Sequence, residues 1–483
     1  MEQIKEDLLL GFLTNQIALL PSLSSQYTLG NYSRISFLKI KTLADSFIQN
    51  KEGERIILMP GLRGVGKTTL LFQLYEHIKA NLGRNNLIYL SCDIINKQLN
   101  SSLQEVLEIY ENKILGKPVE SLTEKTVILI DEAHYDENWQ AVVKGIYDRS
   151  KNILMVVSGS CSIAIEISPD LTRRMHTERI HPLNFIEYLL LKKGIFPIKD
   201  MASKIREALF NNDDLDYALK ELSLINEEVI RKLRTKIPNL EIELENFLSM
   251  GGFPFTLRIQ KEEIILGKIV SVLDKVIYQD IITFYPSCRG VLEKIFPILH
   301  VMAEASDKVN YESLLRFIPG SSKSIVSEVL DALEKAGVIG DIGVEGSAAK
   351  IARNSSKFYF ASPTIRAALL WMIGKFSRDS KILGLLLENA VFNTLKKIKI
   401  YNPNLIQEIY YTDSPGEPDF KVLNAGKIMI IEAGWGDKRI SQLKKSKSQN
   451  DKFSVMVSNT KSPSIDKANN IIFVPKELFL LMA

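Results

Sequence analysis

Residues 55–78 read RIILMPGLRGVGKTTLLFQLYEHI, and this stretch decides the reading of the chain. RIILM is short and β-rich. GLRGVGKT, from Gly61 to Thr68, fits G-x-x-x-x-G-K-[ST]. The residues after it, LLFQLYEHIKANL, carry apolar positions at helical spacing. Strand, glycine loop and helix in this order are the context of a phosphate-binding loop. Gly61, Gly64 and Gly66 allow backbone N–H groups to turn toward phosphates without side-chain clash. The helix that follows adds its positive N-terminal end. Lys67 is placed to reach the β- and γ-phosphates of a nucleotide, and the Thr68 hydroxyl to bind Mg²⁺. Val65 and Thr69 complete the expected nucleotide-binding set.

Such a loop works with a second strand that ends in acid. EKTVILIDEAH, residues 124–134, supplies one. TVILI is a continuous apolar run, as a buried parallel strand should be. Asp131 is expected in the Mg²⁺ shell, and Glu132 is placed to orient and deprotonate an attacking water. The next strand, NILMVVSGSCS, ends at Ser158 and Ser160. A hydroxyl there can touch the γ-phosphate or the water. Arg173 and Arg174 follow, as candidates for stabilising transition-state charge. No NKxD-type guanine recognition is present, since Gln98-Leu99 follows Asn96-Lys97. ATP, with Mg²⁺, is therefore the expected nucleotide. DEAH spells a helicase motif, but no second motor domain follows it, and His134 reads as a local hydrogen-bonding residue.

With 483 residues, the chain has room for three to four domains. Lys and Arg total 61 against 57 Asp and Glu, a net charge of +4 that permits nucleic acid as a partner without arguing for it. The three cysteines, Cys92, Cys161 and Cys288, are too widely spaced for a disulfide framework or a metal site. A cytoplasmic location is expected. No apolar run is expected to approach the length needed to span a bilayer, so no membrane contact is expected, and DLLLGFLTNQIALL near the start reads as a helix packed on the body.

The order GLRGVGKTTLL, ILIDEAHYDENWQAVVKGIYD, VVSGSCS, HPLNFIEYLL and MGGFPF, followed by GLLLENAVFNTLKK and EPDFKV…IIEAG, resembles a group of archaeal and bacterial ATPases. These are AAA+ (STAND-like) P-loop ATPases with a winged helix and a PD-(D/E)xK nuclease-like C-terminal domain. The resemblance covers most of the chain from about residue 34. It implies an α/β fold: an αβα P-loop NTPase core, a helical lid, and hydrolysis of Mg-ATP. It aligns Ser158 with the sensor strand, and Arg173 or Arg174 with a nucleotide-facing arginine.

The expected organisation is an N-terminal helical segment over 1–33, the P-loop core over 34–185, the lid over 186–290, a winged helix over 291–372 and the nuclease-like domain over 373–483. In the winged helix, SSKSIVSEVLDALEKAGVI is the third helix and VEGSAAKIARNSSKFYFA the wing. Lys323, Glu328, Asp331, Glu334 and Lys335 do not give that helix a basic face, while the wing offers Lys350, Arg353 and Lys357. DNA and protein are both candidate partners, as is a second copy of the chain.

In the last segment, Glu388 on a helix, with Asp419 and Glu432 at the ends of two paired strands, makes a candidate vestigial nuclease site, since two or three carboxylates can hold Mg²⁺. The lysine expected two residues after the second acid is replaced by Gly434, with Lys427 and Lys438 as substitutes from elsewhere. Three functions follow: an ATP-driven switch or motor associated with DNA, an ATP-controlled signalling or assembly protein that docks a partner, and an ATP-regulated nuclease. The missing lysine makes catalysis by the nuclease-like domain the weakest of them.

Overall fold

RIILM does form a strand, β1 (Ile56–Pro60), with every residue buried. It lies in a five-stranded sheet with β2 (Leu87–Ser91), β3 (Thr126–Asp131), β4 (Ile153–Gly159) and β5 (His176–Thr177), in the order β2-β3-β4-β1-β5. All the neighbours run parallel, so the strands end along one edge, where open α/β sheets hold their ligands. This computed structural model describes residues 2–27, 32–160, 167–195, 200–282, 285–305, 314–316, 320, 322–344, 357–411, 418–436, 443 and 451–483.

The chain divides into two compact units. One is Met1–His181 with Lys335–Gly337, and the other is Pro182–Glu334 with Val338–Ala483. In the first, the apolar strands are covered by helices whose spacing gives each an apolar stripe. Ile56, Leu58, Ile88, Leu90, Ile128, Ile130, Met155 and Val157 pack in one cluster with Leu103, Val106, Trp139 and Val143. Leu9, Leu13 and Ile17 of the first helix, Glu2–Tyr27, join that cluster. They fall four residues apart, so one side of the helix is core. The same helix, over Gln3–Tyr27, is long and apolar enough to cross a membrane by length and composition. This differs from the expectation that no apolar run approaches that length, since Asp7, Thr14, Asn15 and Gln16 interrupt the run in sequence.

The second unit begins with helices. Among them, Leu215–Arg234 starts at Asp214, whose side chain accepts from the N–H of Asp216 and Tyr217, and Leu240–Met250 starts at Asn239 in the same way. The Gly251-Gly252-Phe253-Pro254 corner has a packing cause. A Cβ on Gly252 would lie 2.1 Å from Ser362 Oγ and 2.8 Å from Thr364 Oγ1. The Gly252 N–H donates to Thr364 Oγ1 at 2.9 Å, and its carbonyl accepts from Leu183 N–H at 2.8 Å. Only glycine fits so close to the cap of the helix Pro363–Met372.

The second unit also holds an eight-stranded mixed sheet. Its strands are β6 (Ile339–Val344), β7 (Lys357–Phe360), β8 (Glu408–Tyr411), β9 (Phe420–Asn424), β10 (Lys427–Ala433), β11 (Ser454–Ser458), β12 (Ser464–Asp466) and β13 (Ile471–Pro475), in the order β12-β13-β11-β10-β9-β8-β6-β7. β6 and β7 are antiparallel, as a wing would be. But β6 also pairs in parallel with β8 through Gly343 and Val344, so one sheet runs across the 372/373 line drawn from sequence. β9 and β10 form the expected hairpin around Ala425 and Gly426, both at positive φ. Lys350 and Arg353 of the wing, Lys438 and Cys161 lie outside the described residues.

Leu13 is fully buried in the first unit's core. Leu13→Ala is expected to lower that unit's stability by about 2–4 kcal/mol, read as a shift in the chemical-denaturation midpoint at unchanged slope.

Candidate active site

The site is built where β1, β4 and β3 end. β4 lies between the other two, with Met59 opposite Ser158 and Ile130 opposite Val157. Asp131, one residue past Ile130, therefore stands beside Ser158. The loop after β1 turns on Gly64 and Gly66, with φ of 84° and 97°. These are values that side-chain-bearing residues avoid. Gly66 caps the helix Lys67–Ile78, which puts Lys67 and Thr68 on its first turn.

Asp131 is buried, and its carboxylate gathers four donors. Oδ2 accepts from Thr68 Oγ1 at 2.7 Å and from Tyr89 Oη at 2.9 Å. Oδ1 accepts from the Ser158 hydroxyl and from the Glu132 N–H at 3.2 Å. Burial pushes the Asp131 carboxyl above the usual range, and the neighbouring Glu132 charge adds to this. The hydrogen bonds from Ser158, Thr68 and Tyr89 oppose it. Burial raises the Tyr89 phenol, and the Asp131 charge raises it further, so Tyr89 remains a donor.

Lys67 is 5% exposed. Its ammonium donates to Gly61 O at 3.0 Å and Leu62 O at 3.5 Å, carbonyls of its own loop, and lies 3.9 Å from Glu132 Oε1. Glu132 sits in the left-handed region at φ 51° and ψ 43°, where a non-glycine residue is strained. Its N–H also reaches Ser158 Oγ at 3.2 Å. The loop is braced from behind. Arg34, itself buried, donates to Val65 O at 2.7 Å and His181 O at 2.8 Å. Val65 is buried and Thr69 half-buried.

These residues fit a nucleotide and Mg²⁺. Lys67 is a buried cation whose closest acceptors are two backbone carbonyls, which are weak partners for a full charge. Thr68 Oγ1 and Asp131 Oδ2 already touch, a pair of hard oxygen donors suited to Mg²⁺, which draws its remaining ligands from water and phosphate. Among the described residues, no three His, Cys, Asp or Glu side chains converge as a metal group. The arginines fall elsewhere. Arg174 pairs with Asp148 at 2.5 Å and Asp170 at 3.6 Å, and Arg173 is exposed. Among the described residues, no contact brings either one to Lys67 or Glu132.

Sequence reasoning missed Tyr89 and Arg34. The signal for Tyr89 is weak: a tyrosine two residues before the end of β2, which means something only once β2 is known to flank β3. Cys92 follows that strand and is a free, buried thiol whose pKa burial and the surrounding acids push up.

Among the described residues, the three acids expected of the second unit do not form a group that could hold a metal. Glu388 Oε1 accepts from Lys357 Nζ and Tyr359 Oη, both at 2.7 Å. Burial raises the Glu388 carboxyl, but Lys357, Tyr359 and Arg366 outweigh it and hold the carboxyl at about 2. Asp419 and Glu432 each accept a backbone N–H across the hairpin: Asp419 N–H donates to Glu432 Oε2, and Ala433 N–H to Asp419 Oδ2, both at 2.9 Å. Asp419 and Glu432 thus brace the two strands of the hairpin, while Glu388 is held by Lys357 and Tyr359. Nor does Lys427 reach in, since it pairs with Asp213.

The fold and the site of the first unit are those of a P-loop NTPase core. The AAA-domain model matches residues 53–189, from the strand before the loop to the start of the helix Phe185–Lys193. The chain is also 30% identical over 476 residues to Uncharacterized protein MJ1637 of Methanocaldococcus jannaschii, a match that covers 98% of this chain and 93% of that one. It belongs to that protein's family. A second protein of the same organism, Uncharacterized protein MJ1544, is 26% identical over 78% of this chain and 74% of its own. Among solved structures, the Aeropyrum pernix ORC1 protein in complex with DNA aligns over 71% of this chain and 93% of its own. The identity is 12% and the TM-score 0.29, too slight a likeness to carry an argument.

Removing the Lys357 ammonium would leave Glu388 buried and charged. Lys357→Met is expected to destabilise the second unit by about 3–5 kcal/mol, and Lys357→Met with Glu388→Gln to recover much of it. Urea denaturation of the three proteins measures both.

Proposed function

We propose that the chain is a Mg²⁺-dependent ATPase that uses hydrolysis as a conformational switch. The observation that carries this is the single cluster Lys67, Thr68, Asp131, Glu132 and Ser158 at the parallel ends of β1, β3 and β4. In this reading the loop N–H groups and the helix end bind the phosphates, and Lys67 leaves its carbonyls for the β- and γ-oxygens. Thr68 and Asp131 would hold Mg²⁺, which supplies charge neutralisation on the phosphates. Glu132 takes the proton of the attacking water as it bonds to the γ-phosphorus and the bond to the leaving ADP oxygen breaks. Ser158, which touches both Asp131 and the Glu132 backbone, fixes the distance between base and metal ligand.

The partner is the less local question. The helix Lys323–Lys335, which a winged helix would place in the major groove, presents Glu328, Asp331 and Glu334 along a depression shared with Asp341. Burial raises the Glu334 carboxyl to about 7, with Asp341 adding to the effect. An acidic face repels phosphates, so this observation favours a second reading: the C-terminal half docks a protein and the ATPase controls that docking. Association with DNA would then use another surface.

Turnover of ATP by the full chain, measured with double-stranded DNA, single-stranded DNA, RNA and no polymer, separates these readings. DNA-stimulated, salt-sensitive turnover supports DNA association. Polymer-independent turnover, with a change of mass in ATP, supports the docking reading. Lys67→Ala is expected to weaken nucleotide binding at least about tenfold. Glu132→Gln should bind ATP and turn it over about 10²–10³-fold more slowly. Normal turnover in Glu132→Gln would overturn the assignment of the base.

A further inference from the structure

We propose that His134 is the positioning residue for the Glu132 carboxylate, and that it exchanges this task with holding the end of β4. The proposal rests on Glu132 being the group that activates water. Because Glu132 is fixed in the left-handed region, with its N–H on Asp131 and Ser158, its backbone cannot re-aim the side chain. The carboxylate must be held by what lies around it, and two groups do. Lys67 Nζ lies 3.9 Å from Oε1, and His134 Nδ1 lies 3.4 Å from Oε2.

The same ring nitrogen has a second neighbour. The Ser160 N–H, one residue beyond β4, donates to His134 Nδ1 at 3.3 Å. Nδ1 thus faces a donor on one side and a carboxylate oxygen on the other. It can serve them only one at a time: a lone pair on Nδ1 accepts from Ser160, and a hydrogen on Nδ1 donates to Glu132. The ring itself is well held. Its side chain is 2% exposed, and it packs on Tyr135 at 4.5 Å between centroids. Tyr135 in turn has Arg63 of the phosphate loop on its hydroxyl at 3.2 Å and Lys97 over its ring at 3.9 Å.

The exchange follows from the loop's chemistry. In the structure Lys67 shares the Glu132 carboxylate, and Nδ1 accepts from Ser160. A bound triphosphate draws Lys67 away. Glu132 then takes its hydrogen bond from His134 in the tautomer that carries its hydrogen on Nδ1, and Ser160 is released. His134 therefore aims the base only when phosphate is present, and it reports that state to the end of β4.

The test compares ATP turnover and ATP affinity of the full chain for wild type, His134→Ala, His134→Asn, His134→Gln and Glu132→Gln. Asn carries a polar atom near the Nδ1 position and can donate or accept there, whereas Gln carries one near Nε2. His134→Ala is expected to lower kcat about tenfold or more while KM and ATP affinity stay within about twofold. His134→Asn should recover most of the rate and His134→Gln should not. Recovery by Asn also shows that the loss in His134→Ala is not a failure to fold. Wild-type kcat in His134→Ala, or equal loss in His134→Asn and His134→Ala, overturns the proposal while Glu132→Gln remains inactive. Wild-type turnover in Glu132→Gln overturns the base assignment and this proposal with it.

Discussion

One buried carboxylate organises the nucleotide-facing edge. Asp131 sits at the end of β3 with Thr68, Tyr89, Ser158 and the Glu132 N–H all donating to it. An isolated charge there would be expensive, so the site works only if every lone pair is answered. The four donors come from four places: the helix after β1, the strand β2, the strand β4 and the residue that follows. The first three are delivered by the order β2-β3-β4-β1, and the fourth by the chain itself. If any strand changed place, one donor would be lost and the charge would be left partly unpaired. Sheet topology and site chemistry are therefore one constraint rather than two.

That constraint also explains why so little side-chain machinery is present. Phosphoryl transfer needs positioning and charge more than covalent assistance. The parallel sheet supplies positioning through register, since Ser158 stands between Met59 and the Asp131 strand end. The strained Glu132 backbone is part of the same arrangement. Its N–H is spent on Asp131 and Ser158, which leaves only its side chain to act.

How much of this was legible in the sequence depends on distance along the chain. Gly61 to Thr68, and Asp131 with Glu132, are local patterns of strand, turn and helix, and the structure gathers them as read. Ser158 was readable because a buried strand ends there. Tyr89 and Arg34 were not, because each gains its role from a partner 42 or 31 residues away. Lys357 was read as a wing charge, yet it neutralises Glu388, which belongs to a helix from the next expected domain. The acids Asp419 and Glu432 were read as a metal site from their positions at strand ends. Antiparallel pairing sets them opposite one another, where each can accept the other strand's N–H instead. The first helix packs on the core through Leu9, Leu13 and Ile17 as expected of it, although its polar residues interrupt in sequence a stretch apolar and long enough to cross a membrane.

The pairing of β6 with β8 has a consequence for how the second unit is made. Among the described residues between Val344 and Glu408, the chain builds the strand β7 and the helices Pro363–Met372 and Ser380–Tyr401 before the neighbour of β6 exists. Until then, one side of β6 is an open edge with unanswered backbone groups, the kind of surface that pairs with other chains. During synthesis the β6–β7 hairpin must therefore wait, exposed on that side, for residues some sixty positions downstream. Long-range closure of this kind slows folding. It makes the helices between the two strands, Pro363–Met372 and Ser380–Tyr401, the natural cover for the β6–β7 pair while the rest of the sheet is still being made.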